Sequence, residues 1–391
     1  MLVTSALLLG LSLALPSQAP VPDELATVAE RSGFQATARH EEVVALCRAL
    51  AEKSPHVRYA ELGASAEGRP LPLLILADPP VATAEEAAKS GKVVVAAIGG
   101  IHSGEVCGKE GLMMLARELA ADPSPDYLKG LVVVLAPMVN PDGDARRAKD
   151  NRPGQAGPDS GVGTRGNARG LDLNRDFIKL EAPETQALVK FLNAWDPHLF
   201  IDTHATNGSR HRYTITYDGP RNPAGDPSLI DYARSKLFPA LTEAFERETG
   251  LQAYYYGSFP EDHARWDSFP ALGRFGTNYV GLRNRIGVLS EAYSYAPFEA
   301  RVKATRDFVR ECLKYASTHQ DEIKNLLDQA RKAASEPKPE SPRRVALRAP
   351  SRAPSRSSAS PSRRRKAGRS RPTFRTSIPP RCSSTSRPSK P

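Results

Sequence analysis

Cysteine is scarce in this chain. Its four cysteines, Cys47, Cys107, Cys312 and Cys382, fit neither a zinc-ribbon spacing nor a Cys-x-x-Cys redox pair. Thiolate metal clusters and thioredoxin-like chemistry are therefore excluded. Buried free thiols are expected, with a Cys47–Cys312 bridge as the one pairing left open. Long apolar runs are also missing. The longest, from about Leu2 to Leu15, is too short to span a bilayer comfortably, and no other segment approaches it, so no membrane span is expected. Ser17-Gln18-Ala19 follows with small residues at both positions of a signal-peptidase site. Residues 1–19 thus read as a signal peptide and the protein as exported, periplasmic or extracellular, although no charged side chain precedes the apolar stretch. With no cysteine after it, a lipoprotein anchor is not expected.

Acidic residues are absent from Ser341 to Pro391, which holds 15 of the 54 lysines and arginines. The remaining 340 residues carry 39 basic against 44 acidic side chains, a net charge of −5 beneath the whole chain's +10. The excess basicity therefore belongs to a tail, residues 336–391, whose Arg, Ser and Pro cannot offset ordering entropy by burying apolar surface. It reads as a disordered, solvated segment. A basic tail can bind nucleic acid, but the acidic body and the export signal argue against such a partner. The abrupt change in composition also resembles a GC-rich gene read in a shifted frame, which resequencing would decide.

The ordered part alternates strand-like and helix-like segments. His40 to Ser54 has helical periodicity, and Val57 to Asp78 reads as a hairpin. "VVVAAI" (Val93 to Ile98) and "LVVVLAPMV" (Leu131 to Val139) are continuous apolar runs, as in strands buried on both faces. Val106 to Ala120 and Ala182 to Trp195 read as helices, and "HLFIDTHATNG" and "IGVLSEAYSY" as strands entering turns. The region after Phe298 is a long helix with a break expected near Ser317. This order predicts an α/β fold with a mixed, largely parallel central sheet flanked by helices on both faces. The Gly-rich polar stretch Asp144 to Gly170 is too long for an idle loop in a compact domain.

Polar side chains cluster where strands end, which is where open α/β sheets place their sites. The first strand end gives His102 and Glu105 within "GGIHSGEVCGKEG". The second gives His204 in "IDTHATNG", and the third gives Glu291 in "VLSEAYSY". Two imidazoles and a carboxylate form a catalytic zinc set with a position open for water, and a nearby carboxylate can act as general base. Alone, His-x-x-Glu is more often a hydrogen-bonded turn, and a lone strand histidine a satisfied core residue. Together, in this order, they carry more weight.

These residues resemble the zinc carboxypeptidases of the carboxypeptidase A-like type. "HSGE" is similar to that family's His-x-x-Glu ligand pair, "NPDG" (Asn140 to Gly143) to its strand-end motif, and "LDLNRDF" (Leu171 to Phe177) to its Asn-Arg motif. The histidine of "DTHATNG" and the glutamate of "LSEAY" fall where its third ligand and catalytic glutamate belong. The resemblance implies a catalytic domain over residues 20–335, with its motif-bearing core at about 40–315. It implies one Zn²⁺ held by His102, Glu105 and His204. Glu291 would be the general base toward a zinc-activated water, and Asp172 would fix the tautomer of His102. Asn174 and Arg175 would grip the terminal carboxylate of a peptide or protein substrate, for which a guanidinium fork is suited. Taken alone, Arg175 could equally be a surface ion pair with Asp176 or Glu181.

Two parts of the family pattern have no fixed counterpart. The oxyanion arginine is sought among Arg152, Arg165 and Arg169, with Arg165 preferred. The closing tyrosine would fall near Phe269; Tyr279, or one of Tyr254, Tyr255 and Tyr256, stands in for it. Cys107 is expected on the following helix, facing away from the metal, and His211 and His263 are not expected as ligands. The activity implied is hydrolysis of the C-terminal peptide bond. The alternatives are a related zinc amidohydrolase acting on N-acyl amino acids or cell-wall peptides, and an inactive peptidase-like binding module. A monomer is expected, and residues 20–39 are too few for a folded prodomain.

Overall fold

The computed structural model describes residues 25–121 and 128–336. The expected signal peptide, Cys382 and the basic tail lie outside the described residues. Within them, eight strands form one sheet: β1 (Val57–Ala64), β2 (Pro70–Ala77), β3 (Val93–Gly99), β4 (Leu131–Ala136), β5 (Leu199–Ala205), β6 (Ile215–Asp218), β7 (Ala253–Tyr255) and β8 (Ile286–Ala292). Their order is β1-β2-β4-β3-β5-β8-β6-β7. The four central strands, β4, β3, β5 and β8, run parallel to one another. β1 and β2 add an antiparallel hairpin at one edge, and β6 pairs antiparallel to β8 at the other. The sheet is mixed with a parallel centre, as the alternation of elements predicts.

The apolar runs of β3 and β4 are continuous because each strand feeds two cores. Side chains alternate between the faces of a strand. Val93, Val95 and Ala97 of β3 join Leu131, Val133 and Leu135 of β4 in one core. Val94, Ala96 and Ile98 join Val132, Val134 and Ala136 in the other. The first core is covered by helices His40–Lys53, Val106–Ala121, Phe238–Thr249 and Phe298–Thr318, and the second by Pro183–Trp195. Helix Phe298–Thr318 stops at His319 before helix Gln320–Ser335 begins, two residues beyond the expected break. Cys47, Cys107 and Cys312 are all buried and free, so the Cys47–Cys312 bridge is not formed. Burial raises the Cys47 thiol to about 12, which keeps it protonated and inert.

Parallel central strands bring their C-terminal ends to one edge. β3, β5 and β8 therefore deliver His102, His204 and Glu291 to the same place. His204 and Glu291 are register partners on adjacent strands, so they project side by side from one face.

Candidate metal centre and substrate cavity

The turn after β3 is built by backbone constraints. Gly100 adopts φ +65°, a left-handed conformation that side chains resist. The chain then closes a turn through Glu105 N–H to His102 C=O, 2.9 Å, and enters helix Val106–Ala121. Gly108, in the first turn of that helix, lies against β5: a Cβ there would sit 2.9 Å from Thr203 Cβ and closer still to its Oγ1. This close approach sets Glu105 beside His204. The "NPDG" segment supports the same turn. Asn140 Oδ1 accepts from Gly143 N–H at 2.9 Å, and its Nδ2 donates to Ile101 C=O and Arg165 C=O, each at 3.4 Å.

His102, Glu105 and His204 are all buried and offer ligand atoms within 4.8 Å of one another. Glu105 Oε1 lies 3.2 Å from His102 Nδ1, and Oε2 lies 2.9 Å from His204 Nδ1. Both imidazoles thus turn Nδ1 toward the carboxylate. Their Nε2 atoms face other acids: Asp172 at 3.0 Å for His102, and Asp202 at 2.9 Å for His204. A carboxylate behind each ring fixes its tautomer and raises the basicity of the opposite nitrogen, as at metal-binding histidines. His102 Nδ1 is buried, near Glu105 but without a hydrogen-bond partner. An orphaned acceptor among two imidazoles and a carboxylate fits a borderline-soft divalent cation such as Zn²⁺.

Without such a cation the charges compensate one another. Burial would raise the Glu105 carboxyl, but the charges of His102 and Arg152 hold it well below the usual carboxylate range. Burial would lower His204, but Asp202 and Glu105 push it well above its ordinary value. Burial would raise Asp172 too, and its bond to His102 together with the charges of His102 and Arg165 keeps it ionised. Glu291 behaves differently. Burial, with the neighbouring charge of Glu105, raises it to about 7.

The centre opens into a cavity of about 540 Å³ lined by His102, Glu105, His204, Glu291, Arg165, Asp172, Asn174, Arg175, Tyr256 and Arg274, among others. The three arginine candidates separate clearly. Arg152 lies partly buried behind the centre, with Nη1 3.0 Å from Glu105 Oε1 and Nη2 donating to the Ala205 and Thr206 carbonyls. Arg169 turns away to Glu181 C=O. Arg165 lines the cavity, held by Nε to Asp172 Oδ2 at 2.9 Å. Arg175 forms no ion pair among the described residues, with Asp176 and Glu181 or otherwise. Its guanidinium lies 4.3 Å from the Phe275 ring centroid and donates to Asn174 C=O at 2.8 Å.

One expectation is corrected. Tyr279 does not line the cavity: helix Gly276–Leu282 turns it onto Phe177, ring centroids 5.5 Å apart, with its hydroxyl accepting from Arg283. Tyr256 lines the cavity instead, and the charge of Glu291, then burial, raise its phenol so that it stays a donor. Asn174 reaches the cavity floor, but its amide is engaged: Nδ2 lies 3.3 Å from Asp202 Oδ2, and Oδ1 accepts from Gly276 N–H at 2.8 Å. Asp202 itself escaped the reading of the sequence, although it stands two residues before His204 and so shares its strand face. Cys107 sits on its helix with Sγ 3.7 Å from the backbone carbonyl of His204, outside the ligand group. His211 packs on Tyr293 and His263 on Phe259, away from that group.

Residues 43–224 match the family model described as zinc carboxypeptidase. That segment contains His102, Glu105 and His204 and ends before Glu291. Carboxypeptidase 2 of Trichophyton rubrum is 23% identical over 76% of this chain. This part of the chain is thus similar to the zinc carboxypeptidase family. Carboxypeptidase D of Mus musculus is 36% identical over 34% of this chain. The matched regions span 12% of the mouse relative and 55% of the fungal one. Among solved structures, a metallo-carboxypeptidase from Burkholderia cenocepacia superposes with TM-score 0.51 at 20% identity, covering 71% of this chain and 69% of that one. Carboxypeptidase A from Helicoverpa armigera gives 0.52 at 17% identity, covering 77% and 75%. These likenesses are of fold. No helix among the described residues is long and apolar enough to cross a membrane.

Proposed function

We propose that the protein is an exported zinc metallocarboxypeptidase that removes the C-terminal residue of peptides or proteins. The observation that carries the reading is the convergence of His102, Glu105 and His204, backed by the carboxylates of Asp172 and Asp202, with Glu291 beside them at the floor of an open cavity. His102 Nδ1, Glu105 and His204 Nδ1 would hold the ion. Bound there, Zn²⁺ supplies a Lewis acid for the scissile carbonyl and lowers the pKa of water toward neutrality.

The remaining roles belong to the chain's own side chains. Glu291, a buried carboxylate beside the ligand group, would accept a proton from the attacking water and return it to the leaving amine nitrogen. Arg165 presents its guanidinium beside the centre, where charge develops on the carbonyl oxygen. Arg175, stacked and unpaired, receives the substrate's terminal carboxylate. Asn174 orients Asp202 and the start of helix Gly276–Leu282 more than it binds substrate. Tyr256 donates its hydroxyl to the bound peptide. The signal-peptide pattern of residues 1–19 supports action outside the cytoplasm.

Glu291→Gln tests the assignment. It keeps shape and removes the base, so turnover of a C-terminally free peptide should fall by about 10²–10⁴-fold with zinc content unchanged. Near-normal turnover in that variant would refute the role of Glu291.

A further inference from the structure

The cavity holds more positive charge than one terminal carboxylate requires. Arg165 is paired with Asp172. Arg175 and Arg274 have no carboxylate partner among the described residues, yet both lie against the same ring, with Arg274 Cζ 5.4 Å from the Phe275 centroid. Both line the cavity. Burial depresses the half-buried Arg175; the charge of Asp172 opposes this, and those of Arg165 and Arg274 add to it, so the three guanidinium groups are near enough to feel one another. The acids of the cavity, Glu105, Asp172 and Glu291, all sit at its metal end, where Glu105 and Asp172 are engaged by His102. Glu291 is the base of the proposed reaction at that end, and no further carboxylate lines the cavity to meet a basic side chain; a stacked arginine presents its fork for bidentate contact with a carboxylate.

We propose that Arg274 reads a second carboxylate, so that the site prefers substrates whose C-terminal residue has an acidic side chain, glutamate or aspartate. The inference rests on the reading of Arg175 as the anchor for the α-carboxylate. One guanidinium then holds each carboxylate of the terminal residue. A glutamine end, of nearly the same shape, satisfies one arginine and leaves the other uncompensated.

The test uses the zinc-loaded full chain and peptides identical except for a terminal Glu or Gln. kcat/KM should favour Glu by about tenfold or more, the scale of a charge-assisted contact. Arg274→Gln should bring the Glu:Gln ratio close to one; because Arg274 is exposed, this variant is expected to fold. Equal cleavage of the two peptides by the unmodified chain, or a ratio that survives Arg274→Gln, overturns the proposal. Calorimetric binding of N-acetylglutamate against N-acetylglutamine separates this inference from the function. If no peptide is trimmed but the dicarboxylate binds about tenfold tighter and loses that margin in Arg274→Gln, the peptidase reading fails and acidic recognition stands. If the two acyl amino acids bind equally, acidic recognition is overturned.

Discussion

Asp202→Asn separates a metal centre from a buried polar cluster. Asp202 is fully buried, with Oδ2 2.9 Å from His204 Nε2 and accepting from Asn174 Nδ2, while Oδ1 is buried without a hydrogen-bond partner. Its only strong tie is thus to the far nitrogen of a ring whose Nδ1 faces Glu105. Asparagine fills the same volume, so the packing of β5 is kept. What is lost is the negative charge that orients the imidazole and makes Nδ1 a better donor. Losing such a partner costs about 10–100-fold in metal affinity, or roughly 1.4–2.7 kcal/mol at about 1.36 kcal/mol per tenfold. Competition for Zn²⁺ against a chromophoric chelator at neutral pH measures this directly, and circular dichroism checks that the variant is folded. Asp172→Asn should cost less, because Asp172 is partly exposed and also shared with Arg165. A folded Asp202→Asn protein with zinc affinity within about twofold of the unmodified chain would refute the idea that the two carboxylates tune metal ligands.

Three further outcomes follow from other parts of the molecule. Gly108→Ala should destabilise by about 1–3 kcal/mol through overpacking against Thr203, seen as a lower urea midpoint, and an unchanged midpoint would contradict the close approach of helix and strand. His198 Nδ1 accepts Val94 N–H at 3.0 Å, and burial followed by the charge of Arg285 lowers the ring to about 4. The unfolded chain therefore binds a proton that the folded ring resists, so His198 stabilises fully above its ordinary value of about 6.5, and that stability falls as pH drops toward 4. By pH 5 the loss should reach about 2 kcal/mol, and His198→Asn should flatten this part of the stability–pH curve; an equally steep curve would count against it. Tyr256→Phe should raise KM about two- to tenfold, the scale of one hydrogen bond, with less change in kcat, whereas Tyr279→Phe should alter neither; the reverse pattern would restore Tyr279 to the site.

The sequence was most legible where local pattern and global position agree. β3 and β4 read as buried strands because alternate residues serve two cores, leaving no polar face to interrupt the run. His102, Glu105, His204 and Glu291 could be found because parallel strands bring their ends together, so order along the chain became proximity in space. β6 and β7 escaped because strands of four and three residues at a sheet edge are too short to show a period. Asp202 escaped although a period of two from His204 pointed to it: a buried carboxylate in an apolar strand has meaning only once its partner is known. Tyr256 and Tyr279 could not be told apart because that choice depends on which way a seven-residue helix turns. The side-chain amide of Asn174 is held by Asp202 and by the Gly276 N–H, 102 residues away in sequence. No local spacing encodes such a contact. The polar stretch from Asp144 to Gly170 stood out by its length and offered three arginines without separating them; the fold sets Arg152 behind Glu105 and Arg165 into the cavity.

The central claim is that this cavity trims free C-termini with the help of a bound metal. Mass spectrometry of two peptides, one ending in a free carboxylate and one in an amide, tests it on the full chain. Stepwise loss of C-terminal residues from the free acid alone, stopped by a chelator and restored by Zn²⁺, is the predicted result. Internal cleavage, equal trimming of the amide, or activity indifferent to chelation would contradict it.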